Sequence, residues 1–476
     1  MPEQSITNKQ LPIEERRMLG KSHRKLVPRS SHAEWKPAPN RGDPIKLLQA
    51  QDQGRIQELL PIKYGRMLAS PFAFLRGSAV VMAADLAHTP NSGLQAILCG
   101  DAHLSNFGLF ASPERRLVFD LNDFDEAFPG PWEWDVKRLA ASVAVAGRDN
   151  GFSDKTNRGL AKEAVRAYRR TMARFAEMPT LDVWYFYVDA NALQDVFAEK
   201  TTKKRRKKAQ KLLDKARSKT QAQTLAKLTY IDDDGRRRIK REPPLLLPFR
   251  YENLAQVVAE EDLATMTVSA VQDSWQQYLQ SLDDEKKYLM SRYRIVDGAL
   301  RVGGVGSVGT RCMIVLLKGR KEHDYLILQL KEAGPSALEA YLPPSASYIG
   351  NYAQRVVLGQ ELMQTTNDIF LGWHKSERHG NDYYWRQFKD MKGSVNVAKL
   401  DEDGMKTYIE LCALCLARAH ARTGDASAIA GYLGKGKSFD KALANFAMTY
   451  ADQTERDYQL LVEAVDSGQV VAAKGI

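Results

Sequence analysis

The stretch CGDAHLSNFG, Cys99–Gly108, decides how this chain is read, and FDLNDFDEA, Phe119–Ala127, follows it closely. Together they set out Asp101, His103 and Asn106, then Asp120, Asp123 and Asp125, with little between them except apolar residues and a turn. So many acceptors in so short a segment need either water or a cation. On either side, LQAILCGD and RLVFDL read as buried strands, so both acidic groups stand at strand ends. The next segments, PWEWDVKRLAASVAVAG and GLAKEAVRAYRRTMARFAEM, have helical periodicity.

Further out, the first sixty residues read as an extended arm, punctuated by proline and glycine, followed by a short helix, IKLLQAQDQGRIQELL. PIKYGRMLASPFAFLRGSAVVMAADL then reads as a loop leading into a helix. Beyond the acidic groups come a basic insertion, the proline-rich EPPLLLPF and a long helix expected from about Ala264 to Tyr293. From Ile295 to about Lys389 β-rich runs alternate with turns, GALRVGG, RCMIVLLKG, DYLILQLKEA and YYWRQFKD, with one helix near QRVVLGQELMQ. Helix returns from Tyr408 to about Ala421 and from Lys441 to Ala464. The expected division is 1–60, arm and short helix; 61–293, a helical part with both acidic groups and the insertion near 196–245; 294–395, a β-rich part; and 396–476, terminal helices.

With 476 residues, 44% of them hydrophobic, the chain can bury a sizeable core. No stretch reaches the roughly 18 apolar residues that span a bilayer, and the polar N-terminus lacks the apolar centre of a secretory signal. A cytoplasmic protein with no transmembrane segment is expected. The four cysteines are too few for a disulfide framework, and the close pair, Cys412 and Cys415, falls on a helical pattern. The net charge of +11 is concentrated: Lys200 to Lys219 holds eleven Lys or Arg against Asp214 alone. Such a run is either a solvated, partly helical insertion or a contact for an anionic partner, and having no aromatics it does not support base stacking.

RVGGVGSVGTRC places Gly304, Gly306 and Gly309 in G-x-G-x-x-G spacing, with Ser307 between them. In a dinucleotide-binding unit the last glycine opens a helix; here it opens CMIVLLKG, which is a strand. A glycine-rich turn between antiparallel strands resembles the one that covers nucleotide phosphates in protein kinases, although a plain flexible hairpin has the same pattern. The third strand, DYLILQLKEA, sets Lys331 among apolar residues, where a lysine needs an anion. Kinases carry a phosphate-binding lysine on that strand. Glu339 and Glu361 are both candidate partners for it.

The first acidic group resembles the catalytic loop H-G-D-x-H-x-x-N of aminoglycoside and choline phosphotransferases, with Gly100, Asp101, His103 and Asn106 in register and Cys99 replacing the first histidine. That resemblance implies that Asp101 accepts the proton of the attacking hydroxyl and that Asn106 ligates magnesium. His103 either orients the turn or packs as a structural histidine. NDFDEAFPGPWEWDVKRLA is similar to the metal-aspartate segment of the same enzymes, making Asp123 the second magnesium ligand and Asp135 the buttress of the catalytic loop. Asp120 stays as a neighbouring acceptor, or as the ligand under a shifted register.

The glycine turn lies about two hundred residues after the catalytic loop, the reverse of the kinase order. The implied fold class is α+β, a protein-kinase-like two-lobed fold with circularly permuted segments, in which 294–395 is the nucleotide-binding lobe and Tyr408 to Ala421 leads up to the catalytic loop. VPRSSHAEWKPAPNRGDP, GRMLASPFAFLRG, CGDAHLSNFG, GVGSVGTRC and LARAHARTGD resemble, in addition, the blocks of the bacterial family catalogued as domain of unknown function 2252. The expected activity is an ATP- and magnesium-dependent transfer of the γ-phosphate to a hydroxyl of a small-molecule acceptor. A nucleotide-binding pseudokinase, AMP transfer and a metal-dependent phosphoesterase are the alternatives. Arg66 and Arg76, beside PFAF, either hold an anionic substrate or serve packing.

Overall fold

Two apolar runs flank the glycine turn, and they pair as their composition demands. In the computed structural model Arg294–Arg301 and Cys312–Lys318 form an antiparallel hairpin around it, and Tyr325–Ala333 pairs antiparallel with the second strand. The structure describes residues 11–190, 203–251, 254–256, 258–259, 263, 266–343, 350–377, 380–473 and 475. Residues 1–10 of the expected arm, 196–202 of the basic insertion, including Lys200, and Ala264, the expected start of the long helix, lie outside them.

The hairpin belongs to a six-stranded antiparallel sheet in the order Gly372–Lys375, Asp382–Gln387, Tyr325–Ala333, Cys312–Lys318, Arg294–Arg301, Leu246–Pro248. Leu246–Pro248 comes from EPPLLLPF, which the sequence pattern did not mark as a strand. It occupies the sheet edge, where a residue lacking an N–H is tolerated. One sheet face buries Trp385 against Trp275 and Tyr278 of the helix Val268–Gln280; the other buries Ile314, Leu316, Ile327 and Phe388. The helix Tyr352–Met363 lies against the two outer strands, Gly372–Lys375 and Asp382–Gln387.

The remaining helices form the larger core. Glu133–Asp149, Asp154–Phe175, Glu402–Thr423 and Ser438–Asp466 enclose Val143, Tyr168, Leu416 and Phe446. Ser153 and Asp401 cap two of them by accepting backbone N–H bonds. Two short antiparallel pairs are set into this core, Gln95–Leu98 with Phe128–Pro131 and, between them in the chain, the hairpin Phe107–Ala111 with Leu117–Leu121, and they carry the acidic groups. The molecule is thus mixed α+β.

The structure corrects three expectations. The arm is helical over Ile13–Leu26 rather than extended, because Gly20 lets that helix pack tightly against Ala426–Leu433. The loop before the first acidic group is three short helices, Leu60–Met67, Pro71–Gly77 and Ala79–Leu86. The long helix is two, Val268–Gln280 and Asp284–Met290. All four cysteines are buried and free, Cys412 and Cys415 on the helix Glu402–Thr423. Among the described residues no helix is long and apolar enough to cross a membrane.

Several contacts tie the helix Glu402–Thr423 to the acidic turns, among them Tyr408 Oη donating to the Leu104 carbonyl and Arg418 pairing with Asp120. At the end of Glu402–Thr423, Thr423 Oγ1 accepts the Ile97 N–H at 3.2 Å. The helix that comes after the sheet therefore ends beside the strand that feeds the first acidic turn.

Candidate active site

The turn after Gln95–Leu98 is braced from below. Asp135, buried near the start of Glu133–Asp149, accepts the N–H groups of Cys99 (2.8 Å) and Gly100 (3.0 Å), and His420 Nε2 lies 3.2 Å from the same carboxylate. Gly100 has φ of 77°, and a Cβ there would stand 2.2 Å from the carbonyl oxygen of Glu126, so only glycine fits. Asp101 is next, its Oδ1 accepting from buried Arg138 Nε at 2.6 Å. His103 is buried; its Nδ1 accepts the Ser105 N–H, which leaves the proton on Nε2, 3.5 Å from Asp101 Oδ2. Burial pushes the imidazole down to about 4, so the ring is neutral at pH 7. Asn106 donates its amide to the Asp101 carbonyl at 2.7 Å, which commits the nitrogen and leaves the amide oxygen available to a cation.

The second acidic group separates its aspartates. A cavity lies between the acidic turns and the glycine turn, and Asp120, buried in an ion pair with Arg418 (2.7 Å), does not line it. Asp123 does line it, with Oδ1 buried and without a hydrogen-bond partner. Burial, together with the charge of Asp125, pushes the Asp123 carboxyl up from its ordinary value. Asp125 is partly exposed, and the Lys331 ammonium and the Tyr384 hydroxyl, which donates to it at 2.7 Å, hold it below the usual carboxylate range. Lys331 thus has its anion in Asp125, and neither Glu339 nor Glu361 is its partner.

The glycine turn is fastened from the N-terminal side. Arg55 donates to the carbonyls of Gly306 (2.8 Å) and Val308 (2.6 Å), Arg66 donates to that of Gly303, and the Ile56 N–H bonds the Gly309 carbonyl at 2.7 Å. Gly304, Gly306 and Ser307 line the same cavity as Lys331, Asp101, His103, Asn106 and Asp123. Its volume is about 550 Å³. Gly309 lies outside the lining. Arg76 lies in it, with its buried Nε lacking a hydrogen-bond partner.

The cavity therefore joins segments some two hundred residues apart, and the matched family spans both. Residues 55–464 match the family described as uncharacterized protein conserved in bacteria (DUF2252). The chain belongs to that family. No curated protein and no solved structure matches it.

The donor set in this DUF2252 protein suits a single hard cation. Among the described residues no group of three His, Cys, Asp or Glu side chains converges as a metal site. Asp123 Oδ1 and the Asn106 amide oxygen are nonetheless free to ligate, and magnesium completes its shell with phosphate and water. Sequence reasoning missed the cations around them: Arg301, Arg386, Lys389 and Lys392 also line the cavity. Burial, and then the charge of Arg386, pushes Lys392 down to about 7. The signal was available in the sequence as FKDMKG, directly after a strand, but carries no spacing that marks it.

Proposed function

We propose that this chain is an ATP- and magnesium-dependent phosphotransferase, on a protein-kinase-like two-lobed fold whose segments run in circularly permuted order. The supporting observation is the shared cavity: the glycine turn and Lys331 face Asp101, Asn106 and Asp123 across it. Lys331 lies on the second strand after that turn, the third of the run that begins with Arg294–Arg301, as the phosphate-binding lysine of kinases does. The helix Glu402–Thr423 meets the strand before the first acidic turn, a contact that a permuted order requires. One departure stands out: kinases pair this lysine with a helix glutamate, whereas Asp125 of the acidic turn fills that place here.

The chemistry assigned to each residue comes from its partners. Arg138 fixes Oδ1 of Asp101, so Oδ2 is left to take the proton as the acceptor hydroxyl oxygen bonds the γ-phosphorus and the bond to the β-phosphate oxygen breaks. Lys331 and the backbone of the glycine turn hold the phosphates. Asp123 and Asn106 hold magnesium, which when bound neutralises charge on the phosphate oxygens.

The test is transfer of label from ATP to small molecules extracted from cells, with γ-labelled and α-labelled ATP run in parallel. Label is expected from the γ position only, falling about 10²- to 10⁴-fold in Asp101→Asn. Label from the α position moves the assignment to nucleotidyl transfer, and γ-transfer unaffected by Asp101→Asn overturns it.

A further inference from the structure

The segment Phe388–Gly393 links the strand Asp382–Gln387 to the helices beyond and crosses the cavity wall, yet the proposed phosphoryl transfer makes no use of it. Its backbone is unusual. Lys389 and Met391 both have φ of 48°, the left-handed region that non-glycine residues adopt only at a cost. The surroundings fix that conformation. Phe388 N–H bonds the Ile327 carbonyl (3.0 Å), Met391 N–H the Lys219 carbonyl (2.9 Å), and Gly393 exchanges bonds with Leu109 (2.7 and 2.9 Å). Outliers so firmly held occur where a side chain must be aimed.

What this backbone aims is positive charge. Lys389 Nζ and Arg301 Cζ sit 5.3 and 4.8 Å from the centroid of the same ring, Phe388, and both cations line the cavity. The Lys219 carbonyl is bonded to this segment, and the next helix, Gln221–Leu228, which carries Lys227, is tied to it by Gln221 donating to the Phe388 carbonyl (3.0 Å) and Thr224 to that of Lys389 (3.4 Å). The basic helix Lys203–Ser218 thus ends beside the segment Phe388–Met391, of which Phe388, Lys389 and Asp390 line the cavity. Among the described residues none of Arg301, Lys389, Lys219 and Lys227 forms an ion pair, and the nearby carboxylate of Asp390 is taken by Arg115. Burial and the neighbouring charges of Arg301, Lys227 and Lys219 push the Lys389 ammonium down to about 8. A polyanion relieves the mutual repulsion of cations crowded in this way.

The nucleotide's phosphates are already matched by the glycine turn, Lys331 and Asp123, so these four cations answer to a second molecule. We propose that the acceptor is a small polyanion, a hydroxyl compound bearing at least two phosphate groups, seated on Arg301, Lys389, Lys219 and Lys227. The acceptor role rests on the phosphotransferase reading; the anion subsite does not. A nucleic-acid duplex is less suited, because Arg301 and Lys389 line a cavity of about 550 Å³ and the described basic helix carries no aromatic side chain.

The experiment titrates inorganic tripolyphosphate into the full chain saturated with magnesium and a non-hydrolysable ATP analogue, followed by calorimetry. One tripolyphosphate is expected to bind beside the analogue. Lys219→Gln/Lys227→Gln should weaken it at least ten-fold while leaving analogue affinity and the thermal midpoint unchanged. Competition with the analogue, indifference to the lysine variants, or no binding overturns the proposal, and so does tighter binding of a DNA duplex through the same lysines. If the analogue itself fails to bind, the phosphotransferase reading fails, while lysine-dependent tripolyphosphate binding still establishes the subsite. In the labelling assay, the labelled acceptor should come from the fraction most strongly retained on an anion exchanger; a neutral or cationic acceptor sinks the assignment.

Discussion

The floor and the roof of the cavity are held by opposite means. Below, the first acidic turn hangs on carboxylates: buried Asp135 takes two backbone N–H groups, Asp101 is bonded by buried Arg138, and buried Asp120, three residues before Asp123, is locked to Arg418. Above, the glycine turn is fastened by arginine side chains reaching its carbonyls from another part of the chain. A buried charge left without its partner costs several kcal/mol, whereas a partly exposed arginine–carbonyl bond is replaced by water. The contrast teaches that floor residues hold position by making displacement expensive, while the roof is fixed by contacts cheap enough to release and remake. Asp120 and Asp123 show the same division within one turn, the first spent on structure and the second left facing the cavity.

The largest effect expected is on the floor. Arg418→Met removes the partner of a fully buried aspartate, together with bonds to Thr365 Oγ1 and the Met363 carbonyl. A loss of about 3–5 kcal/mol is expected in denaturant unfolding. Adding Asp120→Asn should restore part of it, since the uncompensated charge is then gone. If Arg418→Met unfolds within about 1 kcal/mol of the parent, the buried pair does not hold the floor.

The roof should break differently. Arg55 has an ion pair with Asp52 (3.0 Å) besides its two bonds to the glycine turn. Asp52 keeps Lys63 and Tyr64 as partners when Arg55 is lost, so no buried charge is stranded. Arg55→Ala should therefore cost only about 1–2 kcal/mol in stability while raising the Kd for magnesium and an ATP analogue several-fold. Unchanged nucleotide affinity would mean that the clamp has no part in seating the turn.

Much of this contrast is legible in the sequence, but unevenly. The hairpin around the glycines, the isolated Lys331 and the two acidic turns all carry local patterns, because strand alternation and turn chemistry act over a few residues. Partners do not. Asp125 pairs with Lys331, Asp120 with Arg418 and Asp101 with Arg138 only because distant elements meet, and no spacing in FDLNDFDEA distinguishes Asp125 as the lysine's partner from Asp123 as the free carboxylate. The N-terminal helix hid for a related reason. Its apolar residues Ile13, Met18, Leu19 and Leu26 stay exposed, and it is attached instead through Gly20 against Ala428 and through Arg16 to Asp425. A reading based on apolar periodicity has no signal to track there. Lys389 was likewise invisible, since only the folded backbone reveals its left-handed conformation.

The smallest effect on stability is the most discriminating for function. Gly304 has φ of −71° and ψ of 173°, which any residue adopts, and a Cβ built on it meets nothing within 4 Å. Nothing in the fold requires glycine at this position. Gly304→Ala should therefore leave stability within about 0.5 kcal/mol of the parent. If the turn exists to let bare backbone approach phosphate, the same methyl group will stand in the cavity where the phosphate comes closest, and affinity for magnesium with an ATP analogue should fall at least ten-fold. A variant unchanged in both measurements would make Gly304 a flexible hairpin residue and nothing more. That outcome would shift the nucleotide's anchor from Gly304 to Lys331 and to Gly306 and Ser307, which line the same cavity.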